Sequence, residues 1–204
     1  LSLWAFHTCA LKSIGDVVCW GNNSHGQSTV PTTIHQNVKQ ILTTFYGSCA
    51  LKIDDTIECW WSDASLLNAK FASLPWSNIA QISFNQETGY NHYVCKLTTS
   101  WYVSCWWLYS LSEWRYPEYD WGMTSVPSDL SDVRKIVTGK YSVCALKNDS
   151  SVVCWWLPAY VNTINKNNIL DIAMWWSSET YTLSNAHIIS ARPNMMSHIP
   201  SNLK

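Results

Sequence analysis

The 204-residue chain is short of charge. Asp, Glu, Lys and Arg make up 13% of it, about half the usual share of ~25%. With 13 Lys+Arg against 14 Asp+Glu the formal net charge is −1, which excludes a highly basic nucleic-acid binder and a polybasic membrane-surface protein. No apolar run approaches the ~20 residues of a membrane helix, and mean hydropathy is −0.09, so no membrane span is expected. The sequence opens at Leu1 without Met and without a signal-type apolar stretch; we read it as a processed or trimmed form. No G-x-S-x-G, H-E-x-x-H or phosphate-loop pattern is present. The six His (7, 25, 35, 92, 187 and 198) are scattered. Asp54-Asp55 and Asp149 fall at expected hairpin turns, where Asp serves turn geometry. Glu118 and Asp120 read as a solvated acidic loop, because a calcium loop needs more oxygen ligands at tight spacing. The expectation is no catalytic residue, no metal and no cofactor.

What the chain does have is apolar residues at 47%, so it is globular rather than disordered. It also has 14 Trp, 10 Tyr and 8 Cys. The cysteines lie at Cys9, Cys19, Cys49, Cys59, Cys95, Cys105, Cys144 and Cys154. They form four C-x9-C pairs of identical spacing. An even count in regular pairs points to a disulfide framework in an oxidising compartment. Zinc is the competing reading, but structural zinc sites bring ligands in C-x2-4-C steps, and no H-x3-5-H spacing accompanies them. Free core thiols are the remaining alternative.

Hairpin geometry supports the bridges. In CALKSIGDVVC a short turn over Ser13-Ile14-Gly15 sets Leu11 against Val17, Ala10 against Val18 and Cys9 against Cys19. Gly15 would supply a positive φ at the end of the turn. Opposed residues of a non-hydrogen-bonded antiparallel pair are within disulfide reach. The same folding sets Leu51 against Ile57, Leu97 against Val103 and Leu146 against Val152.

Short β-like stretches precede the hairpins at Asn37–Ile41, Asn78–Ile82, Asp132–Ile136 and Ile169–Ile172. Apolar-Pro steps follow at Val30-Pro31, Leu74-Pro75, Val126-Pro127 and Ile199-Pro200. A fifth unit, YTLSNAHIISA, has lost its cysteines; Tyr181 and Ala191 take their positions and Leu183 is expected to face Ile189. The chain therefore reads as one repeat domain, 1–204, of five units at about 1–36, 37–77, 78–131, 132–167 and 168–204. Units of this length match a propeller blade or a solenoid repeat. Each reads as three or four short strands with little helix, partly apolar on both faces, as stacked blades require. No unit keeps a helical stripe for three turns.

His7–Pro31, HTCALKSIGDVVCWGNNSHGQSTVP, resembles the repeat of the regulator of chromosome condensation family, and most closely its secreted, cysteine-paired members. SCALKIDDTIECW and YSVCALKNDSSVVCW match the hairpin core; YVCKLTTSWYVSCW and the fifth unit match its skeleton. The chain is also similar to a bacterial β-lactamase inhibitor made of such repeats. The resemblance implies an all-β, β-propeller-like fold of four-stranded blades, here about five, with one hairpin disulfide in each of four. Known closed members have about seven blades. The Gly after Cys-Trp survives only as Gly21 and is Trp61, Trp107 and Trp156 elsewhere. The N-x-x-G-Q loop survives only at Asn23, Gly26 and Gln27. Those loops are expected to differ in shape. Leu1 aligns with Ile41 and Ile136, and Lys204 falls near Ser131. Three arrangements follow: a closed five-bladed ring, sheets completed between molecules, or a fragment of a longer array.

The Cys-adjacent Trp20, Trp60, Trp106 and Trp155 are expected to pack between blades; the second Trp of each pair alternates to the other side, where it could be exposed. The longest insertion, 108–125, carries Trp114, Arg115, Tyr116, Tyr119 and Trp121, a set suited to protein contact or sugar stacking. The equal alternative is a loop folded onto its own propeller. Asn22 and Asn148 head sequons in predicted loops.

The functional expectation is a non-catalytic, extracellular, secreted structural or interaction protein. It would act as a scaffold, self-assembling through edge strands or end-to-end contacts into a fibre or surface layer. The alternative is a soluble binding module, a lectin-like carbohydrate binder or an enzyme inhibitor. A chromatin exchange factor is disfavoured, because paired cysteines contradict a reducing nucleus.

Overall fold

The structure is a computed structural model that describes residues 2–4, 6–44, 47–61, 64–84, 93–108, 122, 124–139, 142–156, 160–164, 169–174, 180–184 and 187–190. Among the described residues, β-branched and aromatic runs broken by turn residues give sixteen strands and one helix. The first sheet is β1 (Ser2–Trp4), β2 (His7–Leu11) and β3 (Val17–Gly21). The second is β4 (Val38–Thr43), β5 (Ser48–Lys52) and β6 (Ile57–Trp60), followed by α1 (Ala64–Ala72). The third is β7 (Ile79–Phe84), β8 (Tyr93–Thr98) and β9 (Val103–Trp107). The fourth is β10 (Val133–Thr138), β11 (Val143–Lys147), β12 (Val152–Trp156) and β13 (Tyr160–Ile164). The fifth is β14 (Ile169–Met174), β15 (Thr180–Ser184) and β16 (His187–Ser190). The chain divides into two compact units, 1–82 with 86–90, and 83–85 with 91–204.

Four hairpins have the expected register. Leu11 faces Val17, Leu51 faces Ile57, Leu97 faces Val103 and Leu146 faces Val152. All eight cysteines are bridged within their hairpins, Cys9–Cys19, Cys49–Cys59, Cys95–Cys105 and Cys144–Cys154, with Cα atoms 4.0–4.1 Å apart. The shared register comes from a shared turn. Gly15 N–H donates to Lys12 O at 3.0 Å and Lys12 N–H to Asp16 O at 2.8 Å, with Gly15 at φ +84°. This is a three-residue loop whose last position is left-handed. Asp55, Trp101 and Ser150 take that position in the other three hairpins, at φ +68° to +69°.

The fifth hairpin differs by one residue. Leu183 faces Ile188, not Ile189, and Ser184 faces His187 across two residues. Loop length sets hairpin register, and no cysteine pair holds this one to the ten-residue spacing.

The helix stands where the sequence suggests a loop. ASLLNAKFA is rich in helix formers, and it buries Ala64, Leu67 and Phe71 on one side. Its Asn68 closes the open edge of β6: Asn68 Nδ2 donates to Cys59 O at 2.9 Å, and Cys59 N–H donates to Asn68 Oδ1 at 2.8 Å. In the fourth sheet the equivalent Cys154 is opposite Asn162 of β13. One side-chain amide thus does in the second sheet what an outer strand does in the fourth.

Each core lies between successive sheets. Cys9 and Val17 of the first sheet, with Ile34 of the loop that follows it, pack with Val38, Ile41, Ala50 and Trp60 of the second. Cys95 and Leu97 of the third pack with Val133, Ile136, Ala145 and Trp155 of the fourth. Cys144, Leu146 and Val152 of the fourth pack with Ile169 and Ile172 of the fifth. Trp60 and Trp155 are buried as expected, whereas Trp106 is half-buried and Trp20 is 52% exposed. Each buried one lies against the sheet that precedes its own, and no described sheet precedes the first. Of the second tryptophans, Trp61 and Trp107 are half-buried, each packing over its cross-strand partner, Gly47 and Tyr93.

Candidate interaction surface

Polar staples hold successive sheets together and fix what remains exposed. Ser2 Oγ lies 3.0 Å from Thr43 Oγ1 and accepts from Thr43 N–H. Ser83 and Thr138 repeat this pair at 2.9 Å. The β-bulges between Val38 and Gln40 and between Val133 and Lys135 re-aim one side chain each. Lys39 Nζ donates to Ile79 O at 2.9 Å, and Arg134 Nη2 to Ile169 O at 2.8 Å. Lys39 also pairs with Asp55. Burial would raise the Asp55 carboxyl, but hydrogen bonds from Lys39 and from Ile79 N–H outweigh it and hold the pKa below the usual value.

A buried network joins the first two sheets. His7 Nε2 is 2.9 Å from Ser48 Oγ, and Ser48 Oγ and Trp60 Nε1 both donate to Gln27 O. Tyr93 holds the position of His7 in the third sheet and donates to Gly139 O and Ser142 O. Burial, opposed by the Gly47 backbone, pushes the His7 pKa below its ordinary value. The Ser48–His7 contact is a structural peg: both residues are buried, so no substrate reaches the hydroxyl. Among the described residues no cluster of three His, Cys, Asp or Glu could hold a metal ion, and no helix is long and apolar enough to cross a membrane.

Among the described residues, four of the eight exposed large apolar side chains, Ile14, Ile53, Trp101 and Tyr102, lie at hairpin tips. A groove of about 510 Å³ lies between the first two tips, with Leu11 and Val38 in its lining and Ile14 and Ile53 on its rims. Ile14 is 60% and Ile53 65% exposed. Lys12 and Lys39 also line it, Lys39 being paired with Asp55. In the second compact unit, the third hairpin exposes Trp101 and Tyr102 at its tip. Sequence reasoning missed these positions. The signal was there: apolar side chains occupy turn positions that polar residues normally fill.

Asp54 and Asp149 serve their turns as expected. Asp54 Oδ1 accepts from Thr56 N–H and Oγ1, and Asp149 Oδ1 from Ser151 N–H and Oγ. These bonds hold both carboxyls below the usual pKa. Asn22 is exposed, and its Oδ1 accepts from Ser24 N–H, Ser24 Oγ and Gln27 Nε2. Asn148 is exposed and donates through Nδ2 to Asp132 Oδ1 at 2.7 Å. Trp114, Arg115, Tyr116, Tyr119 and Trp121, with Glu118 and Asp120, lie outside the described residues.

Residues 5–27 match the Regulator of chromosome condensation (RCC1) repeat. The fold is similar to that of the entire ectodomain of the Physcomitrella patens receptor kinase CR4, with 22% identity and a TM-score of 0.57 over 98% of this chain and 48% of that one. The CRINKLY WD40 ectodomain of the Arabidopsis thaliana receptor kinase ACR4 gives 17% and 0.57, over 90% of this chain and 61% of that one. Yeast RCC1 (Prp20), solved with Kap60 bound, gives 15% and 0.60, over 98% and 58%. The chain thus spans about half to three-fifths of the length of these structures. No curated protein matches the sequence. One repeat is thus similar in sequence to the RCC1 repeat, and the fold is similar to RCC1-like β-propellers along nearly the whole chain.

Proposed function

We propose that the chain is a non-catalytic, extracellular, secreted interaction module that binds a protein partner through its hairpin tips and acts as a scaffold. The observation that carries the reading is the pairing of every cysteine in a rigid hairpin with exposed aliphatic side chains at two of the tips. Such bridges persist outside the reducing cytosol, and apolar residues rimming a groove suit a protein contact. The receptor-kinase ectodomains of similar fold support the extracellular assignment. Assembly of copies into a fibre or surface layer is the structural form of this function.

The test is a photo-cross-linking amino acid placed at Ile14, at Ile53, or at the exposed Ala69 of α1 as control. The secreted, oxidised protein is then incubated in the extracellular fluid of its source. A discrete protein adduct from the two tip positions and none from Ala69 supports the reading. Equal labelling at all three, no adduct, or free thiols in the recovered protein overturns it.

Trp101 and Tyr102 favour a second reading, a lectin-like site in which the aromatics stack on sugar rings. A saturable change of tryptophan fluorescence on titration with oligosaccharides, lost in Trp101→Gly, would mark it. An enzyme-inhibitor role draws on the same exposed tips.

A further inference from the structure

The tip of the first hairpin lacks a carboxylate that the second and fourth carry. The hairpin registers make Lys12, Lys52 and Lys147 equivalent, and likewise Asp16, Thr56 and Ser151. Between them stand Ile14, Asp54 and Asp149. In the fourth hairpin one carboxylate serves both flanks. Asp149 Oδ1 accepts from Ser151 N–H at 2.9 Å, and its Oδ2 lies 3.6 Å from Lys147 Nζ. In the second hairpin two carboxylates share the task. Asp54 Oδ1 accepts from Thr56 N–H at 3.0 Å, and Glu58 pairs with Lys52.

The first hairpin has neither. Ile14 replaces the turn aspartate, and Val18 stands where the second sheet has Glu58. Among the described residues no carboxylate pairs with Lys12, and no acceptor lies within hydrogen-bond distance of Asp16 N–H. The other carboxyls of the two tips are engaged: Asp16 Oδ1 is 3.9 Å from His35 Nδ1, Asp54 Oδ1 holds Thr56, and Asp55 pairs with Lys39. Lys12 lines the groove between the two tips, beside Leu11, Val38, Ile14 and Ile53, and no acidic residue is in that lining. An apolar seat with an uncompensated ammonium at its side is the complement of an aliphatic side chain next to a carboxylate.

We infer that the groove takes an acidic-aliphatic segment of a protein partner. A Leu or Ile side chain seats between Ile14 and Ile53. The adjacent Asp or Glu carboxylate meets Lys12 and Asp16 N–H, as Asp149 meets Lys147 and Ser151 N–H in the fourth hairpin. The inference rests on the reading of the tips as a protein-binding surface and names the chemistry of what they bind. A basic segment would set its charge against Lys12, and an uncharged one gains nothing from the ammonium. An exposed ion pair alone is worth little; the backbone donor and the apolar seat beside it are what select this ligand.

The experiment is an NMR titration of the isotope-labelled, oxidised full chain, its four bridges confirmed by peptide mapping. The probes are Ac-Gly-Leu-Glu-Leu-Gly-amide and its analogues with Gln or Lys in place of Glu. The Glu peptide should shift the backbone amides of Lys12, Ile14, Asp16 and Ile53. It should bind about fivefold more tightly than the Gln peptide, the worth of one well-placed exposed pair, and the Lys peptide should bind most weakly. Lys12→Gln should erase the preference for Glu over Gln. Ile14→Asp supplies the missing carboxylate from within, so it should erase the preference too and raise the urea midpoint. Both substitutions alter exposed residues, and the amide spectra away from the tip should stay as in the wild type. No shift at millimolar Glu peptide, equal binding of the Glu and Gln peptides, or a preference that survives Lys12→Gln overturns the inference. Inorganic phosphate moving the same amides equally overturns it as well, since the site would then read charge alone. If Ile14 and Ile53 cross-link a partner while these titrations fail, the binding surface stands and its proposed chemistry falls. If the titrations succeed and no partner is cross-linked, the partner reading falls and the groove chemistry stands.

Discussion

Gly47 lies directly beneath the indole of Trp61: a Cβ on Gly47 would sit 2.0 Å from Trp61 Cε3. The first sheet holds the reverse arrangement, with His7 paired to Gly21, where a Cβ on Gly21 would fall 2.6 Å from Phe6 O. The third sheet fits two large rings, Tyr93 and Trp107, edge to face at 5.8 Å. In the first two sheets a glycine stands opposite a ring, and in the third two rings meet edge to face. Gly47 thus leaves the room that the Trp61 indole fills where the first sheet has Gly21.

Gly47→Ala should therefore cost about 1–3 kcal/mol through overpacking. Adding Trp61→Gly should recover much of the loss, since the two residues are in contact and their effects are not additive. A urea-unfolding double-mutant cycle measures both.

Trp101 holds a left-handed backbone at φ +68° with its side chain 45% exposed. Trp101→Gly should raise stability by about 1 kcal/mol, because glycine takes that conformation without strain. Gly15→Ala should lower it, since the added Cβ would lie 2.8 Å from the Gln36 carbonyl carbon. Thermal unfolding of the two variants should shift in opposite directions.

Stability should fall on acidification because of His7. Burial holds its folded pKa below the ordinary 6.5, against a weaker upward pull from Gly47. Between the folded and unfolded values the unfolded chain binds more protons, so stability rises with pH there. The contribution is complete above about 6.5 and is lost as pH drops below it. His7→Gln should flatten this part of the pH profile of the urea midpoint.

Replacing Cys9 and Cys19 together by Ala should cost about 2–3 kcal/mol, the unfolded-state freedom restored when a ten-residue loop is opened. Each of the other three pairs should cost a similar amount, read from denaturation midpoints.

Secretion from a eukaryotic host should add glycan at Asn22 more fully than at Asn148. The Asn148 Nδ2 is engaged by Asp132, whereas at Asn22 it is the Oδ1 that is occupied. Intact-mass spectra before and after enzymatic deglycosylation, for Asn22→Gln and Asn148→Gln, give the occupancies.

Local features of the fold were legible in the sequence. Cysteine spacing and turn length fix the register of four hairpins within eleven residues, so Leu11–Val17 and its counterparts follow from the letters alone. The fifth hairpin lacks the cysteine anchor, and its pairing is shifted by one. Helix α1 was hidden because its role is tertiary: Asn68 matters through Cys59, nine residues earlier. Trp20 was misplaced because its burial depends on a neighbouring sheet, not on its own unit. The exposed Ile14 and Ile53 were legible in principle, as apolar residues in turns.

Every bridge joins positions ten residues apart inside one hairpin, so none ties one sheet to another. If the chain is pulled from its ends, the sheets can peel away in turn while each hairpin stays shut. At about 3.5 Å per extended residue, each closed loop withholds about 35 Å of contour length, roughly 140 Å in all. A reductant would release that slack in four equal steps, making the oxidation state of the surroundings the setting for how far this molecule stretches under load.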